Sequence, residues 1–363
     1  MIAHGGDVWQ VADELGISAS ELLDFSASIN PRGLPPGARA RLTRDASDSR
    51  LLSFYPDPSA RRLRQALSEQ HAVAPDAIVV GPGADSLLAP ILRSLDPRRA
   101  LVPVPAFSEY RRACEKEHIQ FTPFPLDRAD LFRINVDRLC QSIKAGSYGV
   151  VLLNHPHNPS GAVLERCAIQ RVIETAAGSS ATVLLDEAFI DYVPDLSFIR
   201  EAASRPGLIV VRSLTKFYGC PALRVGYAVT HPETVSRIQS LMPAWPVTQL
   251  AIDALAEAVV DREYAEASIL ENAVERERLA ESIEGLGMVV FPPAANYLFL
   301  ELGPDMPSSA ELRARLIAKH RILIRNCDSY EGLAPGRYIR VAVRAAADNR
   351  RLIEALAVEC ELT

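Results

Sequence analysis

Short runs of almost wholly apolar, β-forming residues recur along this sequence, and each leads into a cluster of Gly, Pro or polar residues. They are Ala77-Ile78-Val79-Val80, Ala100-Leu101-Val102-Pro103-Val104, Gly149-Val150-Val151-Leu152-Leu153, Ala181-Thr182-Val183-Leu184-Leu185, Leu208-Ile209-Val210-Val211-Arg212 and Val225-Gly226-Tyr227-Ala228-Val229. A strand that is apolar at every position, rather than at alternate ones, must be covered on both faces. Helical stretches lie between the runs, over 60–71 (capped by Asp57 or Ser59), over 87–95, after Phe107 and up to about 176. Apolar strands alternating with helices predict an α/β domain with a largely parallel sheet. The polar clusters then gather at the C-terminal strand ends, where open sheets of this kind bind ligands.

One cluster has a marked chemical character. The run 208–212 enters Ser213-Leu214-Thr215-Lys216-Phe217-Tyr218-Gly219, and the chain leaves through Pro221-Ala222-Leu223-Arg224. A lysine between a buried strand and a Gly/Pro-punctuated loop is poorly explained as a surface residue, although an ion-pairing lysine in such a loop is the plainer alternative. Near water-excluding walls it sheds its proton and becomes an amine nucleophile. Arg224 supplies a fixed cation suited to a phosphate, and Ser213 adds a hydroxyl. A Schiff-base lysine beside a phosphate cradle is what pyridoxal 5'-phosphate (PLP) requires.

Other strand ends supply matching groups. Gly81-Pro82-Gly83-Ala84-Asp85-Ser86 joins a strand to a helix. The free N–H groups of Ala84 and Asp85 at that helix N-terminus suit a phosphate. Asp186 ends an apolar strand, and a buried carboxylate needs a cationic partner. A protonated pyridine nitrogen is such a partner. Asn158, on the loop Asn154-His155-Pro156-His157-Asn158-Pro159-Ser160-Gly161, is placed to donate to the ring's phenolate oxygen, and Phe107 to stack on the ring. Each residue alone also has an ordinary reading: a strand-end ion pair, a turn, a core aromatic. Lys216 and Asp186 are the candidate catalytic pair; Gly83, Ala84, Asp85, Phe107, Asn158, Ser213 and Arg224 are candidate cofactor contacts.

The composition narrows the function class. A formal net charge of −6 argues against a nucleic-acid binder working by bulk attraction. The six cysteines are scattered, with no Cys-x-x-Cys and no Cys/His cluster, so neither a metal site nor a disulfide framework is expected. No apolar run is long enough to span a membrane, and Met1-Ile2-Ala3-His4-Gly5-Gly6-Asp7 lacks the basic and apolar regions of a signal peptide. These features predict a cytoplasmic enzyme.

The remainder divides by pattern. Residues 1–35 form an arm: a short helix near 7–15, then an extended stretch dense in Pro and Gly. Its Ser26, Ser28 and Asn30 face either a ligand or solvent. Residues 36–247 form the large α/β domain, 248–285 connecting helices, and 286–363 a small α+β domain with strands near 288–291, 296–300, 322–325 and 338–343.

The ordered set Gly83-Ala84-Asp85, Phe107, Asn158-Pro159-Ser160-Gly161, Asp186-Glu187-Ala188-Phe189, Ser213-Leu214-Thr215-Lys216 and Arg224-Val225-Gly226-Tyr227 resembles the fold-type I PLP enzymes of the aminotransferase superfamily, over nearly the whole chain. Within it the chain resembles the branch containing histidinol-phosphate aminotransferases and threonine-phosphate decarboxylases. His4-Gly5-Gly6-Asp7, Asp24-Phe25-Ser26-Ala27-Ser28-Ile29-Asn30-Pro31 and Lys216-Phe217-Tyr218 look most like the decarboxylases. The resemblance implies a homodimer with Tyr55 reaching the partner's PLP phosphate. It implies that Arg340 holds a substrate carboxylate and that Arg325, helped by His4, Asn30 and Arg32 of the arm, holds a substrate phosphate. The implied substrate is a small phosphorylated amino acid, and the implied reaction is decarboxylation of O-phospho-L-threonine to (R)-1-amino-2-propanol O-2-phosphate for cobalamin biosynthesis. Transamination of histidinol phosphate is the alternative, and a PLP-free binding module on the same fold is a third reading. Two departures are visible. Phe189 stands where many transaminating relatives have a tyrosine, so Asn158 carries the contact to the ring oxygen alone, and Cys220 and Ala222 flank Pro221 unusually.

Overall fold

The computed structural model describes residues 5–360. The arm begins with the helix Val8–Leu15, stopped by Gly16 in the left-handed region (φ 64°). Strand β1 (Leu23–Asp24) follows. Then β2 (Ile78–Gly81), β3 (Arg99–Val104), β4 (Gln120–Pro125), β5 (Val150–Asn154), β6 (Thr182–Asp186), β7 (Leu208–Ser213) and β8 (Gly226–Val229) build one seven-stranded sheet in the order β2-β8-β7-β6-β5-β3-β4. Only β8 runs against the others.

Both faces of this sheet are buried, as the continuous apolar runs require. Val151, Leu153, Val183, Leu185 and Val210 pack on one side with Leu139 and Ile143 of the helix Val136–Ala145 and Ile169 and Val172 of Arg166–Gly178. Val150, Leu152, Leu184, Ile209 and Val211 pack on the other with Leu87 and Ile91 of Ala84–Leu95 and Tyr110 of Ser108–Lys116. Each fully buried aliphatic chain contributes about 1.5–3 kcal/mol. Because β5, β6 and β7 are parallel and in register through Asn154, Asp186 and Val211, their C-terminal ends open on one edge.

Among the elements outside the sequence expectations, two are informative. β4 carries Pro123 and Pro125, which argue against a strand, but it sits at the sheet edge paired only with β3 and needs no second ladder. Val136–Ala145 is a short helix started by Asn135, whose side chain accepts from the Arg138 N–H at 3.1 Å.

The C-terminal part contains β9 (Val289–Val290), β10 (Tyr297–Glu301), β11 (Ile322–Leu323), β12 (Arg325–Asn326) and β13 (Tyr338–Ala342). Four of these form the antiparallel sheet β12-β13-β10-β9. The helices Ser309–His320 and Ala346–Cys360 share its core through Leu312, Leu316, Leu352 and Leu356. The arm is fastened here: β1 pairs in parallel with β11, and Phe25 is buried in the same core. Helix Gln249–Val259 packs on Pro36–Ala46 and Arg61–His71, and the long helix Arg262–Glu284 reaches Ala346–Cys360. Among the described residues no helix is long and apolar enough to cross a membrane.

One close backbone approach shapes the sheet's open edge. A Cβ on Gly226 would lie 2.3 Å from the Ala84 N, so β8 passes the Gly83-Ala84 turn only as glycine. Gly226→Ala is expected to destabilise the protein by about 1–3 kcal/mol, read as a lower urea midpoint. An unchanged midpoint would show that the turn yields without cost.

Candidate active site

A cavity of about 380 Å³ lies at the C-terminal ends of β5, β6 and β7 and is closed from above by Ser26 to Ile29 of the arm and by Arg325 and Arg340. A larger hollow of about 540 Å³ lies behind Phe217 and Tyr218. In its wall Arg166 pairs with Glu201, and Arg212 with Asp191 and with the buried Glu187. The smaller cavity gathers the reactive groups.

Lys216 projects from the short turn Leu214–Phe217 that leaves β7. Ser213 starts that turn, accepting from the Thr215 N–H at 3.4 Å. The Lys216 Nζ lies 4.7 Å from the centre of the Phe189 ring. Burial lowers the pKa of the amine, and the Asp186 carboxylate opposes this in part. The group is therefore a stronger candidate nucleophile than a surface lysine.

Asp186 ends β6 and is buried. Its Oδ2 accepts from the Tyr110 hydroxyl at 2.6 Å, and its Oδ1 from the Ala188 N–H at 2.9 Å. Burial raises its pKa, with the Tyr110 hydrogen bond and the Lys216 charge pulling the other way. The Tyr110 hydroxyl is itself pushed well up by burial and by Asp186, so it stays a donor. Tyr110 is absent from the sequence expectations. Its helical spacing places it on the core face of Ser108–Lys116, and nothing local marks it as a carboxylate's partner.

That pair has a pH consequence. Asp186 holds its proton more strongly folded than unfolded, so its contribution to stability is full below the unfolded pKa and is lost as pH rises through the folded one. Removing the Tyr110 donor widens that gap. Tyr110→Phe should destabilise the cofactor-free protein by about 1.5–3 kcal/mol at pH 8 and by less at pH 5, where more of Asp186 is neutral. Equal losses at both pH values, measured by urea unfolding, would show that Tyr110 acts by packing alone.

The loop after β5 is fixed by Asn154, also missing from the sequence expectations. Its Nδ2 donates to the Asp186 carbonyl at 2.9 Å and its Oδ1 accepts from the Asn158 N–H at 2.8 Å. The Asn158 Oδ1 accepts in turn from Arg340 Nη1 at 2.6 Å and from the Tyr330 hydroxyl at 3.1 Å. Phe107 lines the cavity edge-on to Tyr110, ring centres 5.7 Å apart.

At the other end lies a cradle for an anion. Gly83, at φ 102°, turns the chain into Ala84–Leu95, whose first N–H groups no capping side chain takes. Arg224, itself in the left-handed region at φ 50°, sits across from this turn and donates to Asp85 Oδ1 at 2.7 Å. A Cβ on Gly83 would lie 2.5 Å from Arg224 Nη2, so glycine lets that guanidinium sit against the turn. Ser213 borders the same cavity. Free helix N–H groups, a hydroxyl and a guanidinium suit a phosphate ester.

The two remaining arginines meet across strands. Arg325 on β12 and Arg340 on β13 are register partners, and both line the cavity. Arg340 Nη2 donates to the Ser26 carbonyl at 3.2 Å, and the guanidinium lies over the Tyr297 ring at 4.9 Å. Its Nε is buried and has no partner among the described residues, as is also true of the Ser28 hydroxyl in the cavity wall. Arg325 Nη2 donates to Ser329 Oγ at 2.9 Å.

Other expected contacts are placed elsewhere. The Asn30 side chain donates to the Phe217 carbonyl at 2.8 Å and to Ser268 Oγ at 2.9 Å, and its backbone N–H donates to the Lys216 carbonyl at 3.0 Å. It braces the lysine turn from behind and does not border the cavity. Arg32 forms an ion pair with Glu271 on the far side of that turn, so neither arm residue is where the sequence reading put a substrate. Gly5 and Ser26 to Ile29 stand at the cavity instead. Tyr55 is 78% exposed, stacked on Trp245 with ring centres 4.5 Å apart, and does not reach the cavity of its own chain. His4 lies outside the described residues.

The family described as aminotransferase class I and II matches residues 20–357. A threonine-phosphate decarboxylase of Salmonella typhimurium is 36% identical over 357 residues, 98% of this chain and 95% of that protein. An adenosylcobalamin biosynthesis bifunctional protein of Leptospira interrogans is 29% identical over 97% of this chain, which spans 40% of that longer protein. Among solved structures, a histidinol-phosphate aminotransferase of Clostridium acetobutylicum superimposes with a TM-score of 0.84 at 28% identity, covering 93% of this chain and 99% of that one.

Proposed function

The chain belongs to the class I and II aminotransferase family, and from that footing we propose that it is a PLP-dependent decarboxylase of O-phospho-L-threonine, yielding (R)-1-amino-2-propanol O-2-phosphate for cobalamin biosynthesis. The residues present fit the cofactor. Its phosphate would be held by the Ala84 and Asp85 N–H groups, Ser213 and Arg224, the last seated against the Gly83 turn. Asp186 would hold the pyridine nitrogen, Asn158 the ring oxygen and Phe107 the ring face, and Lys216 would supply the amine for the aldehyde. Tyr55 of the partner subunit completes the phosphate contacts in a homodimer, consistent with its exposure in the single chain. When bound, PLP draws electrons out of a bond at the substrate's α-carbon.

The protein's own groups then decide which bond that is. The observation that carries this reading is the Arg325–Arg340 pair lining the same cavity as Lys216. Two guanidiniums side by side suit a substrate with two anionic ends, a carboxylate and a phosphate. Arg340 holds the carboxylate through its unpartnered Nε, and Arg325 holds the phosphate. With both ends fixed, the two arginines would decide which bond at the α-carbon is presented for breaking, and positioning of this kind supplies much of a rate difference. Carbon dioxide leaves with the bond electrons left on the α-carbon, and Lys216 Nζ delivers the proton that replaces it. The phosphate end should be essential. Turnover of unphosphorylated L-threonine is expected to be lower in kcat/KM by about two to three orders of magnitude, the scale of one desolvated charge pair. Equal turnover of the two substrates would contradict the reading, as would a preference for histidinol phosphate with 2-oxoglutarate.

A further inference from the structure

The Asn158 amide is gripped by the C-terminal sheet. Its oxygen accepts from Arg340 Nη1 at 2.6 Å and from the Tyr330 hydroxyl at 3.1 Å. A guanidinium has no acceptor, so the atom facing Arg340 is the amide oxygen and the Nδ2 end is turned to the opposite side. Tyr330, 6% exposed, belongs to the loop between β12 and β13 and borders the cavity. With the oxygen on its side, Tyr330 is the donor in this contact.

The two donors have different obligations. Arg340 already divides its fork between the Asn158 oxygen and the Ser26 carbonyl, and it is also the group that meets a substrate carboxylate. An arginine drawn onto a carboxylate loosens its hold on a neutral amide, because the charged acceptor binds it more strongly. The Tyr330 hydroxyl is uncharged, so a carboxylate draws it away from the amide less strongly than it draws the guanidinium. Phe189, beside Lys216, carries no hydroxyl to share the work of Asn158.

Resting on the reading of the cavity as a PLP site, we propose that Tyr330 is a positioning residue. Its hydroxyl keeps the Asn158 oxygen turned away from the cofactor while Arg340 engages the substrate carboxylate, so that Nδ2 goes on donating to the ring oxygen. A donor at that oxygen draws off negative charge that otherwise helps hold the proton on the adjacent Lys216 nitrogen. Losing the donor therefore raises the pH at which the visible band of the loaded enzyme changes.

The test is a pH titration of that absorbance in the holoenzyme, with and without 3-phosphonopropionate, which has a carboxylate and a phosphonate but no amine to react. With 3-phosphonopropionate bound, Tyr330→Phe should move the midpoint up by about one unit relative to the wild-type enzyme with the same ligand, the scale of one hydrogen bond to a charged group. Without the ligand the shift should be smaller, since Arg340 still holds the amide. In an Asn158→Ala background, Tyr330→Phe should add no shift. A wild-type midpoint in Tyr330→Phe under both conditions overturns the inference while leaving the cofactor reading standing. A shift that persists in the Asn158→Ala background overturns it too, since Tyr330 would then act by another route. A protein that stays colourless with added PLP overturns the cofactor reading and the inference together.

Discussion

Lys216→Ala is expected to lower turnover of O-phospho-L-threonine by about three to four orders of magnitude or more, the scale of a lost positioned acid–base group. Lys216 has two tasks that no neighbour duplicates. It is the amine at the cavity floor, and it is the group that protonates the α-carbon after carbon dioxide leaves. The nearest basic side chains are guanidiniums, which do not give up a proton near neutral pH. The variant should still fold, because the turn Leu214–Phe217 is held by Ser213 and by Asn30 on its backbone, not by the lysine side chain. Borohydride treatment of the wild-type holoenzyme should collapse its visible band and leave the label on the Lys216 peptide. A variant retaining a tenth of the activity, or a label on another lysine, would remove Lys216 from the centre of the chemistry.

Arg340→Ala should lower kcat/KM by about two to three orders of magnitude, mostly through KM, because it removes one partner of a desolvated charge pair. The loss has two sources: the substrate carboxylate loses its guanidinium, and the Asn158 oxygen loses its 2.6 Å donor. Arg340→Lys keeps the charge but not the planar fork, so it should recover only part of the loss. Arg325→Ala should act differently, weakening O-phospho-L-threonine strongly and unphosphorylated L-threonine little. An Arg340→Ala enzyme with an unchanged KM would place the carboxylate elsewhere.

Strand ends were legible because local sequence places them. Asp186 follows an apolar run that burial on two faces makes a strand, so its carboxylate falls at a defined edge. Gly83, Asn158 and Lys216 are legible for the same reason: each follows a strand in a loop too polar or too Gly/Pro-rich to be core. The sheet order was not legible. It sets β8 beside β2, with Ile78 opposite Val229, and β5 beside β3, with Ala100 opposite Val150, pairings made by residues far apart in sequence.

The same distinction separates the site residues that the structure gathers from those it does not. Asn30, polar in an extended stretch, is placed by its own segment at either a ligand or solvent, and near the substrate only by the family resemblance. Its partner is the Phe217 carbonyl, 187 residues away, and no local pattern encodes that contact. Ser28, two residues earlier on the same stretch, does face the cavity. Tyr110, Asn154 and Tyr330 went unread for the converse reason. Each looks like core or turn in its own segment, and each has its role only through a partner on another element. Pro123 and Pro125 concealed β4 because propensity does not show that a strand will be an edge.

Decarboxylation and transamination share Lys216, Asp186 and Asn158, so the products distinguish them most directly. The deciding measurement is incubation of the holoenzyme with O-phospho-L-threonine labelled with ¹³C at the carboxylate, with no keto acid present. Decarboxylation at this cavity predicts one labelled carbon dioxide for each aminopropanol phosphate formed, at a rate that 2-oxoglutarate does not change. Turnover that requires 2-oxoglutarate and leaves the label in a phosphorylated keto acid would contradict it.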